Sequence, residues 1–221
     1  MKMKTIFAGA VLAATMMFAG AANAGLIITG VVDGPRTGGL PKAIELYATS
    51  DIADLSVYNL ETPNNGGSAT GSEFALSGSV SAGNYIWVAS ESPGFTAYFG
   101  FAPTLVNSVA NINGDDNVIL YLNSVTVDQF GVNGQDGTGQ AWDHEDGYAY
   151  RVDDTGPDAT FAISNWTFSG TNFLDSQGTS GVNGGGGKTV PFGTFSAAIP
   201  EPASLALLAL GGLTMLRRRR A

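Results

Sequence analysis

"LIITGVVDGPRTGGLPKAIELYATSDIADLSVYNLE", residues 26–61, decides the fold. Its first seven residues, 26–32, are β-branched and apolar, the composition of a strand. In "KAIELYA", 42–48, Ile44 and Leu46 alternate with Glu45 and Tyr47. That period of two sends the two pairs to opposite faces of a strand. "LSVYNLE", 55–61, reads as a third strand, and the turn-rich "TPNNGGSATG", 62–71, closes it off.

The same pattern continues outward along the chain. "EFALSGSV" (73–80) and "NYIWVAS" (84–90) are strand candidates, and "NVILYLNSVTVDQFGV" (117–132) reads as two strands joined at Asn123-Ser124. "YAYRV" (148–152) and "ISNWTFSG" (163–170) bring the total to about nine strands, with no convincing amphipathic helix between them. Short strands separated by Gly, Asn, Asp and Pro predict an all-β, antiparallel sandwich or barrel over residues 25–170. Residues 171–198, with "GVNGGGGKTVPFGTF" at 181–195, read as a Gly-rich stem containing at most a final strand or two.

The two ends differ from this body. Lys2 and Lys4 precede an apolar stretch, Ile6 to Gly20, and then Ala22-Asn23-Ala24, the layout of a secretory signal peptide over residues 1–24. Signal peptidase is the expected partner there, with the mature chain beginning near Gly25. At the other end, Ala203 to Leu216 are apolar except for Ser204 and Thr214. A helix of that length rises about 21 Å, short of the roughly 30 Å hydrocarbon core of a membrane. Pro200 and Pro202 isolate it from the preceding chain, and Arg217, Arg218, Arg219 and Arg220 stop it with charges that belong on the cytoplasmic side. Arginine snorkelling and bilayer thinning make up the missing length.

Residues 199–221, with Ile199-Pro200-Glu201-Pro202, the short apolar helix 203–216 and the arginine cluster, resemble the PEP-CTERM sorting signal of Gram-negative bacteria. The resemblance implies that an exosortase processes the chain at or near the PEP residues. The precursor would reside in the inner membrane with its domain in the periplasm. The processed protein would go to the cell surface or the extracellular matrix, often where exopolysaccharide is made. Pro200, Glu201 and Pro202 are then recognition residues for another enzyme.

Composition narrows the function classes. The chain carries ten basic and nineteen acidic residues, but residues 25–200 hold only four basic against eighteen acidic, a net charge of −14. Such a surface repels phosphate backbones, so nucleic acid is not an expected partner. There is no cysteine, hence no disulfide or thiol chemistry in spite of the exported route. About 175 mature residues suffice for one core without such staples.

A second resemblance covers Leu26 to Val152. "LIITGVVDGPRTGGLPKAIELYATSDIADLSVYNLE" resembles the opening of a lamin tail domain, and "FALSGSVSAGNYIWVAS" is similar to that family's next pair of strands. "VTVDQFGV" with "DGYAYRV" is similar to its closing strands. The resemblance implies an immunoglobulin-like β-sandwich of the binding or adhesive kind. Two segments depart from it as extended loops, 91–117 and 134–147, and loops on a rigid scaffold are where ligands are met.

Asp115, Asp116, Asp136, Asp143, Glu145 and Asp146, with Asp128, place many carboxylates in this stretch, the kind of oxygen donor that calcium takes. Neither loop matches a calcium-binding spacing, and Asp and Asn also serve simply to make turns. Calcium is therefore an alternative, not the leading cofactor expectation, which is none, and no other metal is firmly expected. His144, the lone histidine, reads as a solvated loop residue, since zinc needs three or four donors and a catalytic triad needs an accompanying elbow. Trp87 and Trp166 fall within strands as packing residues. Trp142 either stacks on a sugar ring from the acidic loop or pins that loop to the sandwich. No catalytic residue is assigned. The expectation is a non-enzymatic exported module associated with exopolysaccharide, with a calcium-dependent adhesion module and a polysaccharide hydrolase as the alternatives.

Overall fold

A computed structural model describes residues 25–175 and 190–197. The signal peptide 1–24, the sorting residues Pro200, Glu201, Pro202 and Arg217 to Arg220, and the apolar segment 203–216 lie outside the described residues. Among the described residues no helix is long and apolar enough to cross a membrane.

Among the described residues ten strands form two sheets. They are β1 (Leu26–Val32), β2 (Ala43–Ala48), β3 (Tyr58–Glu61), β4 (Phe74–Ala75), β5 (Tyr85–Ala89), β6 (Leu105–Val106), β7 (Val118–Leu122), β8 (Val125–Phe130), β9 (Tyr148–Arg151) and β10 (Trp166–Phe168). The six-stranded sheet runs β10-β9-β1-β2-β5-β6 and the four-stranded sheet β4-β3-β7-β8. All neighbours are antiparallel except the short β5–β6 pair, which is parallel. The expected hairpin at Asn123-Ser124 is present, both residues having positive φ as a two-residue turn between twisted strands requires.

Four expectations need correcting. The first half of 55–61 is a 3-10 turn, Leu55–Val57, before the strand begins at Tyr58. Asp54 caps it by accepting from the Ser56 amide, a local bond that competes with extension. Within 73–80 only Phe74–Ala75 is strand, and 163–170 begins with another 3-10 turn, Ile163–Asn165. The segment 91–117 is not simply a loop, because it contains helix α1 (Ser92–Phe99). Glu91 caps α1 by accepting from the Gly94 and Phe95 amides, proline occupies the first turn, and Gly100 ends it at φ 82°. Those are standard start and stop signals for a helix.

The two sheets share one apolar core. Leu26, Ile28, Val31, Ile44, Leu46, Ile86 and Val88 of the larger sheet meet Leu60, Val118, Leu120 and Phe130 of the smaller. A bulge in β1 lets Ile28 pair with Leu46 and Gly30 with Glu45, so Thr29 is the extra residue. The face parity therefore changes, and Val31 follows Ile28 into the core. At one edge the sheets are joined by Asp128 of β8 and Arg151 of β9, both side chains fully buried, with Arg151 Nη2 2.7 Å from both carboxylate oxygens. Asp128 also accepts from the amides of Ile28, Gln129 and Asp158. Arg151 donates to the carbonyls of Ile28 and Gly156 and lies 4.6 Å over the Trp166 ring. Grouping Asp128 with the loop acids was therefore wrong: it belongs to the core.

The outer face of the larger sheet is covered too. Phe95, Tyr98 and Phe99 of α1 pack there with Val32, Ala43, Ala89, Leu174 and Val190. Ile27, Tyr150 and Phe195 form a third cluster. Residues 171–175 and 190–197 thus belong to the packed body, beyond the expected end of the sandwich at residue 170. Phe and Val at 190, 192 and 195, inside a Gly-rich stretch, are what bind that segment to the sheet.

Candidate functional site

A polar cleft of about 630 Å³ opens where four loops meet. The first is the β1–β2 loop. It folds back through hydrogen bonds from Gly34 N to Gly39 O and from Arg36 N to Leu40 O. Gly39 has φ +71° and any Cβ there would collide with the Asp33 side chain, so glycine is required for the loop to close over its own base. The other loops are pinned to it and to each other. Asp33 N donates to Gly147 O, His144 N to Gly114 O, Asn172 N to Glu145 O and Leu174 N to Asp146 O.

Lys42 sits beneath the cleft, only 6% exposed. Its ammonium donates to Asp33 Oδ1 at 2.8 Å, to Ile112 O at 2.5 Å and, more weakly, to Asn113 Oδ1 at 3.4 Å. The other oxygen of Asp33 accepts from the Asp146 amide at 3.2 Å. Burial pushes the Asp33 carboxyl up to about 6, with Lys42 pulling in the other direction. Burial and the neighbouring Asp175 also raise Asp146. Around this base the cleft presents Asp115, Glu145, Asp146 and Asp175, together with Arg36 on the rim.

The structure divides the six acidic candidates into two groups. Asp115, Glu145 and Asp146 line the cleft. Asp116 does not; it is buried and accepts from the amides of Asn65 and Asn113, tying two loops together. Asp136 accepts from the Thr138 amide and hydroxyl, which lower its carboxyl below the usual range. Asp143 accepts from the Gly139 and Glu145 amides. Both are turn formers.

Trp142 is not a sugar platform. It is 3% exposed and stands edge-on to Phe130 and Phe161, so it pins its loop to the core. His144 is not solvated either, since it is fully buried beside Phe130. Its Nδ1 lies 3.2 Å from Trp142 O, and Nε2 has no hydrogen-bond partner among the described residues. Burial pulls it down to about 4, so it is neutral at physiological pH. Trp142 thus takes the second of its two expected roles and only the solvated reading of His144 is overturned, both because the loop 134–147 folds inward onto Phe130. Among the described residues no three His, Cys, Asp or Glu side chains converge to hold a metal ion.

The sequence reading missed Asp33, Arg36, Lys42, Asn113 and Asp175. A usable signal was the scarcity of cations. In a body of net charge −14, two of the three described basic residues, Lys42 and Arg151, are buried in ion pairs. Each marks the place where loops or sheets are joined.

A family model for the PEP-CTERM protein-sorting motif matches residues 198–220. The chain carries an exosortase sorting signal. It is therefore an exported protein, and its C-terminal segment is addressed to an exosortase. No curated protein and no solved structure matches the chain significantly. Among the described residues the body is a β-rich fold of two sheets and one α-helix.

Proposed function

We propose that this is a non-catalytic surface or extracellular-matrix module, lamin-tail-like and immunoglobulin-like in its body, that meets extracellular polysaccharide through the carboxylate-lined cleft. The observation that carries the reading is the pairing of a sorting motif at 198–220 with an open, polar recess on the exported body. Carboxylates with free lone pairs accept hydrogen bonds from sugar hydroxyls, and a cleft of negative balance suits neutral or amino-bearing sugars over acidic ones. Signal peptidase removes residues 1–24 and the precursor stays in the inner membrane until the exosortase acts.

Asp33 argues against a hydrolase. It is the cleft carboxyl raised to about 6, yet both its oxygens already accept hydrogen bonds, from Lys42 and from the Asp146 amide. That suits a clamp between loops better than a proton donor to substrate. The calcium-dependent alternative has no convergent set of three carboxylates among the described residues on which to rest.

The test is a glycan array probed with the mature protein purified from its native host. Binding to neutral or amino-sugar polymers, weakened about tenfold in Asp115→Asn plus Asp146→Asn, is expected. Absence of binding to any glycan, or binding that the double variant leaves unchanged, would refute the reading.

A further inference from the structure

Residues 190–197 lie on the outer face of the six-stranded sheet, and the body supplies a partner for six of the eight polar backbone groups between 193 and 196. Gly193 N donates to Glu45 Oε2 at 2.5 Å. Thr194 N and Phe195 N both donate to the Tyr150 hydroxyl, at 3.1 and 2.8 Å. Ser196 N donates to Asp153 Oδ1 at 2.8 Å. In return Phe195 O accepts from the Tyr85 hydroxyl at 2.6 Å and Ser196 O from the Asp154 amide at 2.8 Å.

The floor of this groove is fixed from below. Glu45, on β2, has no exposed surface and no cation near it. Its Oε1 accepts from Thr29 and Tyr150, and its Oε2 accepts from Trp87 Nε1 as well as from Gly193. Apolar contacts complete the fit. Phe192 stacks on Phe99 of α1 with centroids 5.1 Å apart, and Phe195 stands edge-on to Tyr47 at 5.2 Å. Gly30 makes the space: a Cβ there would lie 2.7 Å from the Phe192 ring and 2.9 Å from Tyr150. A carboxylate left on a sheet face without a countercharge is costly unless it is fully hydrogen-bonded. Here the hydrogen bond to Gly193 comes from the docked segment itself.

We propose that this face is a peptide-binding groove built for the chain's own residues 190–197, and that docking there withholds the entry to the sorting motif from the exosortase until the segment lifts off. The motif begins at residue 198, directly after the docked stretch, and Pro200 follows Ser196 by four residues. An enzyme that cuts a polypeptide holds the backbone on either side of the scissile bond in extended form through its N–H and C=O groups. Those groups at 195 and 196 are engaged by the body, so they cannot serve both at once. Only the undocked fraction is a substrate, and the processing rate scales with that fraction. The inference rests on the sorting motif and not on polysaccharide binding, so failure on a glycan array leaves it untouched.

The experiment uses the full-length precursor in its native host and, purified in detergent, for hydrogen exchange. Two variants change only the docked segment: Phe195→Asp, which removes the ring from Tyr47, and Gly193→Pro, which removes the amide held by Glu45. Protection of the β7 amides checks that the body stays folded in both. Wild-type amides 193–196 are expected to exchange about a hundredfold or more slowly than in an unfolded chain. Both variants lose that protection, and pulse–chase conversion of precursor to processed protein speeds up by about fivefold or more. Unprotected wild-type amides would overturn the proposal. So would variants that keep their protection, or that lose it while processing at the wild-type rate or slower.

Discussion

Two buried carboxylates, each on a strand facing another layer, are held in opposite ways. Asp128 lies between the sheets against Arg151, with both side chains excluded from water and backbone amides completing the shell. Glu45 lies on the outer face of the larger sheet, has no cation, and is held by three neutral side-chain donors and one amide from a segment far along the chain. Burial pushes both carboxyls up. The difference lies in what is joined. The first pair ties one sheet to the other. The second ties residues 190–197 to the outer face of a single sheet.

Breaking the first tie should therefore cost most. Arg151→Ala leaves Asp128 charged and buried without its partner, and is expected to lose about 3–5 kcal/mol in denaturant unfolding. Replacing both, Arg151→Met with Asp128→Leu, should recover most of that loss, because no orphaned charge remains. Little recovery would mean the pair contributes more than mutual neutralisation. Next in size comes Trp142→Ala, expected to cost about 3 kcal/mol through the cavity left beside Phe130 and Phe161. An equal, small effect of Trp142→Ala and Asp143→Ala would contradict the inward packing of that loop.

The second tie should break locally. In Glu45→Gln the amide nitrogen faces a donor where the carboxylate had an acceptor, so residues 190–197 should loosen by about 1–3 kcal/mol. Near-ultraviolet circular dichroism from the aromatic core around Phe130, Trp142 and Trp166 should survive. Collapse of that signal would place Glu45 with Asp128 as a support of the whole fold.

The smallest effect is that of pH, and its sign distinguishes the groups. Glu45 is raised from 4.5 to about 7 and Asp33 from 3.8 to about 6. Stability from a raised acid is complete below its ordinary value and is lost as pH rises through the folded value. Between pH 5 and 8 both groups should lower the melting temperature by a few degrees, about 2–4 °C per kcal/mol. Glu45→Gln and Asp33→Asn should each flatten that decline. His144, lowered from 6.5 to about 4, acts oppositely: its contribution holds above 6.5 and is lost as pH falls through 4. Thermal scans in a pH series read both limbs; above pH 6.5 His144 no longer contributes to the slope, and a wild-type melting temperature that rises from there to pH 8 would reverse the assignment for Glu45.

Much of the sheet structure was legible because it is local. The alternation in 42–48, the apolar run 26–32 and the Asn123-Ser124 turn each carry their own period or turn chemistry, and β1, β2 and the β7–β8 hairpin appear where those signals lie. Helix α1 was less visible because Pro93 and Gly94 resemble a loop, although Glu91 before them and Gly100 after them are its caps. The site was mostly hidden. Period-two reading correctly put Glu45 on the face opposite Ile44, but not that residues 190–197 would return to cover that face. Nor could spacing reveal that Asp33, Asp115 and Asp146, far apart in the chain, share one cleft above Lys42. His144 looked exposed because its neighbours are acidic, and Trp142 had two open readings; tertiary packing on Phe130 buried the first and chose the pinning role for the second.

The most direct test is the intact mass of the protein recovered from its native host. An exported body carrying its own docked segment should begin near Gly25 and end near Pro200 to Pro202, retaining residues 190–197 and losing the arginine cluster. Recovery of the whole 221-residue chain from the cytosol, or of a mature form ending before Val190, would contradict it.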